Sequence, residues 1–323
     1  MPLGSRFPTA LASLRTAVPA STPHLLFVFL DGVGLGPSQA SNPLAQPDRR
    51  PALAHLAGGQ PWTHDAAPLA NADHHFHPID ATLGIDGLPQ SGTGQATLLT
   101  GVNCAEVVGR HFGPFPHSAT HSVLAKENAF AKVQRISDDA DAAAFANAYP
   151  PRFFEHVRRR NRWTVTTRCC RESDVRIRGL QDVEQGHAIT ADLTGAGWDT
   201  LGHNLARLTP HQAGERLVQI SQRHRFTLFE YFLTDKAGHG RLDASPAEIL
   251  DTVDAFLQGV LKDLNQSNTL LLITSDHGNI EAPGIKTHTR NPVPLITYGR
   301  GADHFAGVSS IADVTPAIVR TLS

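Results

Sequence analysis

The segment TLLLITSDHGN, residues 269–279, constrains the fold of this chain more than any other stretch. Residues 270–273 are apolar on both faces and too few for a helix, so they predict a buried strand of a parallel sheet. Asp276 and His277 follow in a tight turn, at the strand end where open α/β sheets bind ligands. The segment predicts a metal site. If the tetrapeptide at 276–279 is considered alone, there is an alternative. Asp276 then caps the next segment, and His277 is an ordinary polar loop residue.

Two further apolar runs end in the same way. Residues 25–30 lead into Asp31 and a DGVG turn, and residues 226–234 lead into Asp235 and a turn that contains glycine. The DGVG turn lacks the G-x-G-x-x-G spacing of a dinucleotide-binding fold. Three parallel strands therefore deliver three aspartates to one edge of the predicted sheet.

The fourth feature is the apolar helical segment SGTGQATLLTG at 91–101, which begins with Ser91. Ser91 lies in a glycine-flanked turn, so its hydroxyl is placed among the free N–H groups of a helix N-terminus, which favour phosphate. The alternative is that Ser91 or Thr93 only caps the helix and that Gly101 ends it. Beside a metal ion, the same hydroxyl can ionise and become a nucleophile.

Six oxygen and imidazole donors stand at or near predicted strand ends: Asp31, Asp235, His239, Asp276, His277 and His288. Asp235 and His239 are four residues apart, which brings both side chains to one side of a helical turn or compact loop. Carboxylates and imidazoles without cysteine suit two Zn²⁺ or Mn²⁺ ions about 4 Å apart, the spacing used in phosphoryl transfer. The sequence therefore predicts a two-metal site.

Composition limits the other classes of function. The 323 residues, 41% of them hydrophobic, are enough for one large α/β domain with a smaller insert. The 28 basic and 30 acidic residues give a net charge of −2, which argues against nucleic acid or a membrane as partner. Three cysteines, two of them adjacent, favour reduced thiols and a cytoplasmic location. No signal peptide or membrane span is expected, and nothing indicates an oligomeric state.

The domain boundaries come from changes in pattern along the chain. Residues 1–22 are predicted to be a disordered or loosely docked N-terminal tail, and 23–104 the first part of the metalloenzyme core. From 105 to 205 the alternation of strand and helix weakens, so this segment is predicted to be an inserted α+β cap. Residues 206–323 form the second part of the core, because capping boxes at Thr209 and Ser245 open helices that precede the two later strands.

Two features of the predicted cap concern the substrate. The loop GRHFGP at 109–114 is a candidate substrate-facing loop, with Arg110 and His111 as candidate contacts, and Thr93 of the core is a third. A band of seven arginines between 152 and 171 is favoured as a solvated helix face, since runs of charge usually are. The alternative is that some of these arginines bind a substrate phosphate.

Five motifs, namely DGxG, SxxGQ, DxxxHG, DHGN and HTxNPVP, occur in the order found in the alkaline phosphatase superfamily. The chain most resembles the branch of cofactor-independent phosphoglycerate mutases and phosphopentomutases, over about residues 24–103 and 209–322. The resemblance implies an α/β fold: an alkaline-phosphatase-like core whose mostly parallel central sheet is flanked by helices, with a smaller inserted α+β cap domain.

The resemblance also implies roles for individual residues. Asp31, Asp276 and His277 would hold one metal ion together with Ser91, and Asp235, His239 and His288 the other. The nucleophile of these families stands ten residues before the glycine that closes the helix, which selects Ser91 over Thr93. Two departures stand out: Gln95 replaces a histidine of the mutases, and the cap is nearer in length to that of phosphopentomutases.

The function expected from these features is transfer of a phosphoryl group from a small phosphate monoester through a phosphoserine intermediate. The protein is a phosphatase if water accepts the group, and a phosphomutase if the cap excludes water and re-presents the substrate. Two alternatives remain. One is a phosphodiesterase or nucleotide pyrophosphatase on the same scaffold, and the other is a metal-binding sensor without turnover.

Overall fold

Nine strands and twelve α-helices make up residues 23–323, the part of the chain that the computed structural model describes; the predicted tail at 1–22 lies outside it. The strands are β1 (His24–Leu30), β2 (Leu69–Ala70), β3 (His74–Ile79), β4 (Ala143–Phe145), β5 (Asn147–Ala148), β6 (Ile189–Thr190), β7 (Phe226–Tyr231), β8 (Thr269–Thr274) and β9 (Val293–Gly299). The helices are α1 (Pro51–Leu56), α2 (Ser91–Thr100), α3 (Cys104–Val108), α4 (His121–Glu127), α5 (Ala129–Ser137), α6 (Pro151–Arg160), α7 (Val165–Glu172), α8 (Leu180–Glu184), α9 (Pro210–Ser221), α10 (Leu233–Gly238), α11 (Pro246–Asp263) and α12 (Val314–Leu322).

Seven strands form a central sheet in the order β2-β3-β9-β8-β1-β7-β4. β1 pairs in parallel with both β7 and β8, and β4 pairs in parallel with β7. On the other side, β8 with β9, β9 with β3, and β3 with β2 are antiparallel. Five strands therefore run in one direction and β9 and β2 in the other. The three strands predicted from apolar runs are neighbours, so their carboxyl ends meet at one edge.

The central strands are buried on both faces. Along β1, Leu25, Phe27 and Phe29 face one hydrophobic cluster, which helices α2, α5, α7 and α12 complete. The alternate side chains face a second cluster, which includes α1, α9 and α11. Helices α9 and α11 begin at the predicted capping boxes of Thr209 and Ser245, which confirms those helix starts. Both pack on the sheet because their apolar residues recur on one helical face.

Much of the segment 105–205 packs on the same core. β4 is an edge strand of the central sheet, and Phe130 of α5 and Val165 of α7 belong to the same hydrophobic cluster as Phe27. β5 and β6 form a separate two-stranded parallel sheet, near a small cluster that contains Trp198. The division of the chain at 105 and 205 stays a prediction, and the structure adds that β4 extends the core sheet.

Two smaller observations concern the predicted environment of the protein. Cys104, Cys169 and Cys170 are buried and form no disulfide within the described residues. Among residues 23–323, none of the helices combines the length and the apolar character that crossing a bilayer requires.

Candidate metal centre

The carboxyl edge of the central sheet brings together the six predicted metal ligands. Asp31 follows β1, Asp276 and His277 follow β8, and His288 precedes β9. Asp235 lies in α10, the helix that follows β7, and His239 is the first residue after that helix. Asp276 and His277 are fully buried, while Asp235 and His239 are partly exposed. The strand order places these donors at one edge because β7, β1 and β8 are adjacent and parallel.

The first group consists of Asp31, Asp276 and His277, with Ser91 beside it. The Nε2 atom of His277 lies 3.4 Å from Asp31 Oδ1, 3.5 Å from Asp276 Oδ2 and 3.0 Å from Ser91 Oγ. Ser91 is the first residue of α2, so its hydroxyl stands at a helix N-terminus, which favours negative charge. The group has the donors and the spacing that a divalent cation requires.

The second group consists of Asp235, His239 and His288. The Nε2 atoms of the two histidines are 3.1 Å apart, and they lie 3.4 and 3.5 Å from Asp235 Oδ1. The ring of His277 stacks on that of His288 with centroids 3.7 Å apart, so the two groups are neighbours. Ligand atoms of Asp235, His277 and His288 also lie within 4.8 Å of one another, which places His277 at the boundary between the groups.

Backbone carbonyls fix the orientation of the three histidines. Nδ1 of His288 is 2.7 Å from Pro89 O, Nδ1 of His239 is 3.2 Å from Lys286 O, and Nδ1 of His277 is 3.4 Å from Gly278 O. A carbonyl oxygen only accepts, so each Nδ1 carries the proton and each Nε2 keeps a lone pair. All three lone pairs are directed into the centre, as in histidines that bind metal ions.

The charges within the centre also fit divalent cations. Burial, followed by the charge of Asp235, raises the pKa of Asp276 to about 7, and burial raises that of Asp31. Burial lowers the pKa of both His277 and His288 to about 4, so these rings are neutral near pH 7. Asp31 Oδ1 and both carboxylate oxygens of Asp276 have no hydrogen-bond donor among the described residues. Buried carboxylates that face neutral imidazoles need a positive charge, which bound metal ions would supply.

Glu281 is a site residue that the sequence reasoning missed. Its buried carboxylate accepts hydrogen bonds from Gly34 N at 3.0 Å, Asn279 N at 2.8 Å and two side chains before β9, Thr289 Oγ1 at 2.5 Å and Asn291 Nδ2 at 3.0 Å. It therefore joins the loops after β1 and β8 to the loop before β9. A Cβ at position 34 would overlap this carboxylate, which explains the second glycine of DGVG. The available signal was a glutamate two residues beyond DHGN.

Two more contacts position Asp31 and Asp235. Gln95 donates from Nε2 to Asp31 Oδ2 at 3.2 Å. Asn279 donates from Nδ2 to Asp235 Oδ1 at 2.7 Å. Gln95 holds Asp31 Oδ2 and so leaves Asp31 Oδ1 directed toward the centre. Asn279 instead bonds Asp235 Oδ1, the same oxygen that faces His239 and His288.

The structure does not bring the three predicted substrate contacts to the centre. The Thr93 hydroxyl accepts a hydrogen bond from Phe112 N at 3.1 Å, so it fixes the loop beside α2. His111 donates from Nε2 to Ile85 O at 3.2 Å, and the Arg110 guanidinium lies 5.9 Å from the Phe112 ring centre. None of these three side chains lines an opening that reaches Ser91.

Two openings meet at Ser91. One has a volume of about 300 Å³ and passes over Asp235, His239 and His288, with Lys286 and Thr287 at its rim. The other has a volume of about 280 Å³ and is lined by the aromatic rings of Phe115, Tyr149 and Phe232. Four residues line both: Ser91, Pro114, Asp235 and Arg241.

The chain is similar to known proteins in both sequence and fold. The family profile described as the metalloenzyme superfamily matches residues 23–323. The 2,3-bisphosphoglycerate-independent phosphoglycerate mutase of Thermomicrobium roseum is 31% identical over 115 residues, which cover 32% of this chain and 22% of the mutase. The mutase of Ehrlichia canis is 30% identical over 130 residues, 36% of this chain and 26% of the mutase. The chain thus matches about a quarter of the length of these relatives.

Solved structures share the fold at low sequence identity. Alkaline phosphatase from the Antarctic bacterium TAB5 superposes with a TM-score of 0.53 at 12% identity, over 93% of this chain and 98% of that one. The PH0037 protein of Pyrococcus horikoshii gives a TM-score of 0.52 at 14% identity, over 93% and 97%. At these identities the likeness concerns the fold alone.

Proposed function

This chain belongs to the metalloenzyme superfamily, and from that premise we propose that it is a metal-dependent phosphoryl-transfer enzyme that acts on a small phosphate monoester. The single observation that carries the proposal is the position of Ser91. Its Oγ lies 3.0 Å from His277 Nε2, beside two groups of carboxylates and neutral imidazoles. A lone hydroxyl next to two sets of metal donors is the arrangement that phosphoryl transfer through a serine requires.

Each group of donors would hold one divalent ion. Asp31, Asp276 and His277 would hold the ion beside Ser91, and the second group, Asp235, His239 and His288, the other. Oxygen and nitrogen donors without sulfur suit Zn²⁺ or Mn²⁺. When bound, the ions lower the pKa of a nearby hydroxyl and neutralise the charge of the phosphoryl group.

The protein's own residues place the nucleophile. The N-terminus of α2 favours the negative charge that develops on Ser91 Oγ, and the loop bonded to Thr93 holds the start of that helix. Ser91 Oγ gives up its proton to solvent and attacks the phosphorus in line, and the bond from phosphorus to the leaving oxygen breaks. That oxygen takes up a proton from solvent and leaves as the alcohol, and a phosphoserine remains. A second acceptor then takes the phosphoryl group and returns Ser91 to its free form.

We favour water as that acceptor. Ser91 borders two openings, so solvent has a path to the phosphoserine while the leaving alcohol departs. A mutase must exclude water from this intermediate, because water otherwise competes with the substrate hydroxyl. The opening over His239 lies where a mutase would have to exclude water, and its presence supports hydrolysis.

A comparison of two esters tests the proposal. Purified protein loaded with Mn²⁺ or Zn²⁺ is expected to hydrolyse p-nitrophenyl phosphate faster than bis(p-nitrophenyl) phosphate, because the centre is proposed to accept a monoester. A preference for the diester would instead indicate a phosphodiesterase. Bound metal without hydrolysis of either ester would contradict the proposal and favour a metal-binding sensor.

A further inference from the structure

The opening lined by Phe115, Tyr149 and Phe232 differs in chemistry from its neighbour. The opening over His239 is edged by Lys286 and Thr287, whereas this one adds three half-buried aromatic side chains to a lining that also includes Glu230 and Lys236. A phosphoryl group is charged and gains nothing from an aromatic wall, so the rings must face the organic part of a bound ester. The two openings therefore have different tasks.

A cation covers one face of two of these rings. Lys236 Nζ lies 4.6 Å from the ring centre of Phe232, and the Arg162 guanidinium lies 3.8 Å from that of Phe115. A cation over an aromatic ring is attracted by the electrons of the ring and restrains its orientation. Each of the two rings is thus held against one charged neighbour.

The same two rings are also fixed relative to Ser91. Phe115 follows the loop that is bonded to Thr93, two residues along α2 from the nucleophile, and its carbonyl packs against Gly92. Phe232 is the N-cap residue of α10, three residues before the proposed ligand Asp235. The aromatic walls are therefore placed by the same backbone segments that place the reacting groups, as a specificity pocket requires.

The size of the cleft limits the group that it can hold. Its volume of about 280 Å³ lies just below the ~300–1,000 Å³ that is common for small-molecule sites. A single ring fits such a space, and a long or multiply branched leaving group does not. Flat rings are favoured because they can stack against the Phe side chains.

Resting on the proposed function, we infer that the substrate is a phosphate monoester whose alcohol carries one planar apolar ring, bound between Phe115 and Phe232. The opening over His239 is then left to the phosphoryl acceptor. This assigns substrate specificity to the aromatic cleft and distinguishes the substrate from compounds whose alcohol part is a hydrophilic polyol, which would leave the aromatic walls without apolar contact.

Binding of phosphonates tests the inference without any turnover. Benzylphosphonate and methylphosphonate cannot be hydrolysed at their P–C bonds, and calorimetric titration of the metal-loaded protein gives both dissociation constants. We expect benzylphosphonate to bind at least about tenfold more tightly.

Phe232→Leu should remove most of that difference, because leucine keeps the apolar volume but not the ring. Phe115→Leu provides a second variant. Tyr298→Leu, at the opposite end of the sheet, is the matched control and should preserve the difference.

Hydrolysis of benzyl phosphate and ethyl phosphate supplies the second measurement. Their leaving alcohols have similar acidity, so a difference in kcat/KM reports the ring and not the bond that breaks. We expect benzyl phosphate to be favoured roughly tenfold, and Phe232→Leu to lower its kcat/KM alone. Equal binding of the phosphonates, or a preference that both phenylalanine variants retain, would overturn the inference. Failure to hydrolyse either ester would instead count against the proposed function.

Discussion

The Nε2 atoms of His239 and His288 face each other 3.1 Å apart. Each ring donates from Nδ1 to a backbone carbonyl, of Lys286 and Pro89 respectively, and so turns a lone pair toward its neighbour. Two facing lone pairs repel, and Asp235 Oδ1 adds negative charge 3.4 and 3.5 Å away. A cation between them removes the repulsion, which is why this pair indicates a metal site more directly than burial does.

Removing one of these histidines should lower the metal content. We expect His239→Ala to lose one of the two proposed ions, because only His288 and Asp235 remain in its group. Metal analysis by mass spectrometry after dialysis measures the change. His211→Ala on the partly exposed surface of α9 is the control and should keep both ions. Full metal content in His239→Ala would contradict the second group.

Ser91→Ala should abolish the phosphoenzyme while metal remains bound. The six protein donors are unchanged, but no oxygen is left to accept the phosphoryl group, so kcat should fall at least about 10³-fold. Acid quenching followed by intact-protein mass spectrometry detects the phosphoserine. Ser267→Ala is the matched control, since this exposed hydroxyl before β8 bonds Asn265 at the edge of the sheet away from Ser91. Phosphorylation of Ser91→Ala would show that the nucleophile is a different residue.

Asp276→Asn should change how stability depends on pH in the metal-free protein. Burial, followed by the charge of Asp235, raises the folded-state pKa of Asp276 from 3.8 to about 7. The folded chain therefore binds this proton more tightly than the unfolded chain. The resulting stability is fully present below pH 3.8 and is lost as the pH rises through about 7. The asparagine variant does not lose stability in this way. The free energy of unfolding of the variant should therefore rise relative to that of the wild type between about pH 4 and 7.

Urea unfolding in EDTA at about pH 5 and about pH 7.5 measures that difference. The pKa of His277, lowered to about 4 by burial, acts with the opposite sign. His277 is present in both proteins, so its effect largely cancels in the comparison. Added Mn²⁺ or Zn²⁺ should reverse the order, because the variant has lost a charged ligand. A pH-independent difference in the metal-free state would contradict burial as the cause of the raised pKa of Asp276.

Glu281→Gln should weaken both the fold and the metal centre. Its carboxylate accepts four hydrogen bonds, and an amide NH₂ group would face donors such as Asn279 N. We expect the free energy of unfolding of the metal-free protein to fall by about 2 kcal/mol, and metal affinity to fall about tenfold or more. Denaturant unfolding and metal titration measure the two effects. Glu215→Gln, which breaks the surface ion pairs with Lys262 and His211, should change neither by much.

Arg241 and Arg110 distinguish what the structure indicates from what the sequence predicted. Arg241 lines both openings, and after burial its charge is the next cause of the lowered pKa of Lys236, so two cations lie close together beside the site. We expect Arg241→Gln to lower kcat/KM for a phosphate monoester roughly tenfold or more. Arg110→Gln should have little effect. The reverse result would restore the loop at 109–114 as the substrate contact.

The part of the fold that the sequence predicts is the part with an unambiguous pattern. β1 and β8 are apolar on both faces, a pattern typical of buried strands at the centre of a sheet. The structure places the two strands side by side. The resemblance to the alkaline phosphatase superfamily, near its phosphoglycerate mutase branch, is confirmed, and so is the alkaline-phosphatase-like fold. Motifs at strand ends predict well because their position depends on strand order alone.

Features that depend on tertiary contacts could not be predicted in the same way. β3 reads HHFHPI, which lacks the alternation of polar and apolar residues typical of a strand. Its histidines are accommodated by backbone carbonyls of other segments, as His77 is by that of Val308. Glu281 lies within ten residues of Asn279, Thr289 and Asn291 but 247 residues from Gly34, so its role as the link between three loops emerges only when the chain folds. Arg110 and His111 belong to a loop that does reach the centre, yet side-chain direction within a loop has no sequence signature.

Exchanging the cap of this protein for that of a relative would have a hidden cost at Ala143–Phe145. β4 comes from the middle of the segment that such a graft would replace, and it is the outer partner of β7. Asn147 extends the pairing, since its side-chain amide bonds both the N–H and the C=O of Glu230. A chimaera without these residues would leave one side of β7 unpaired and prone to aggregation. Designers of such hybrids should therefore keep 143–147 as native sequence and join the foreign segments on either side.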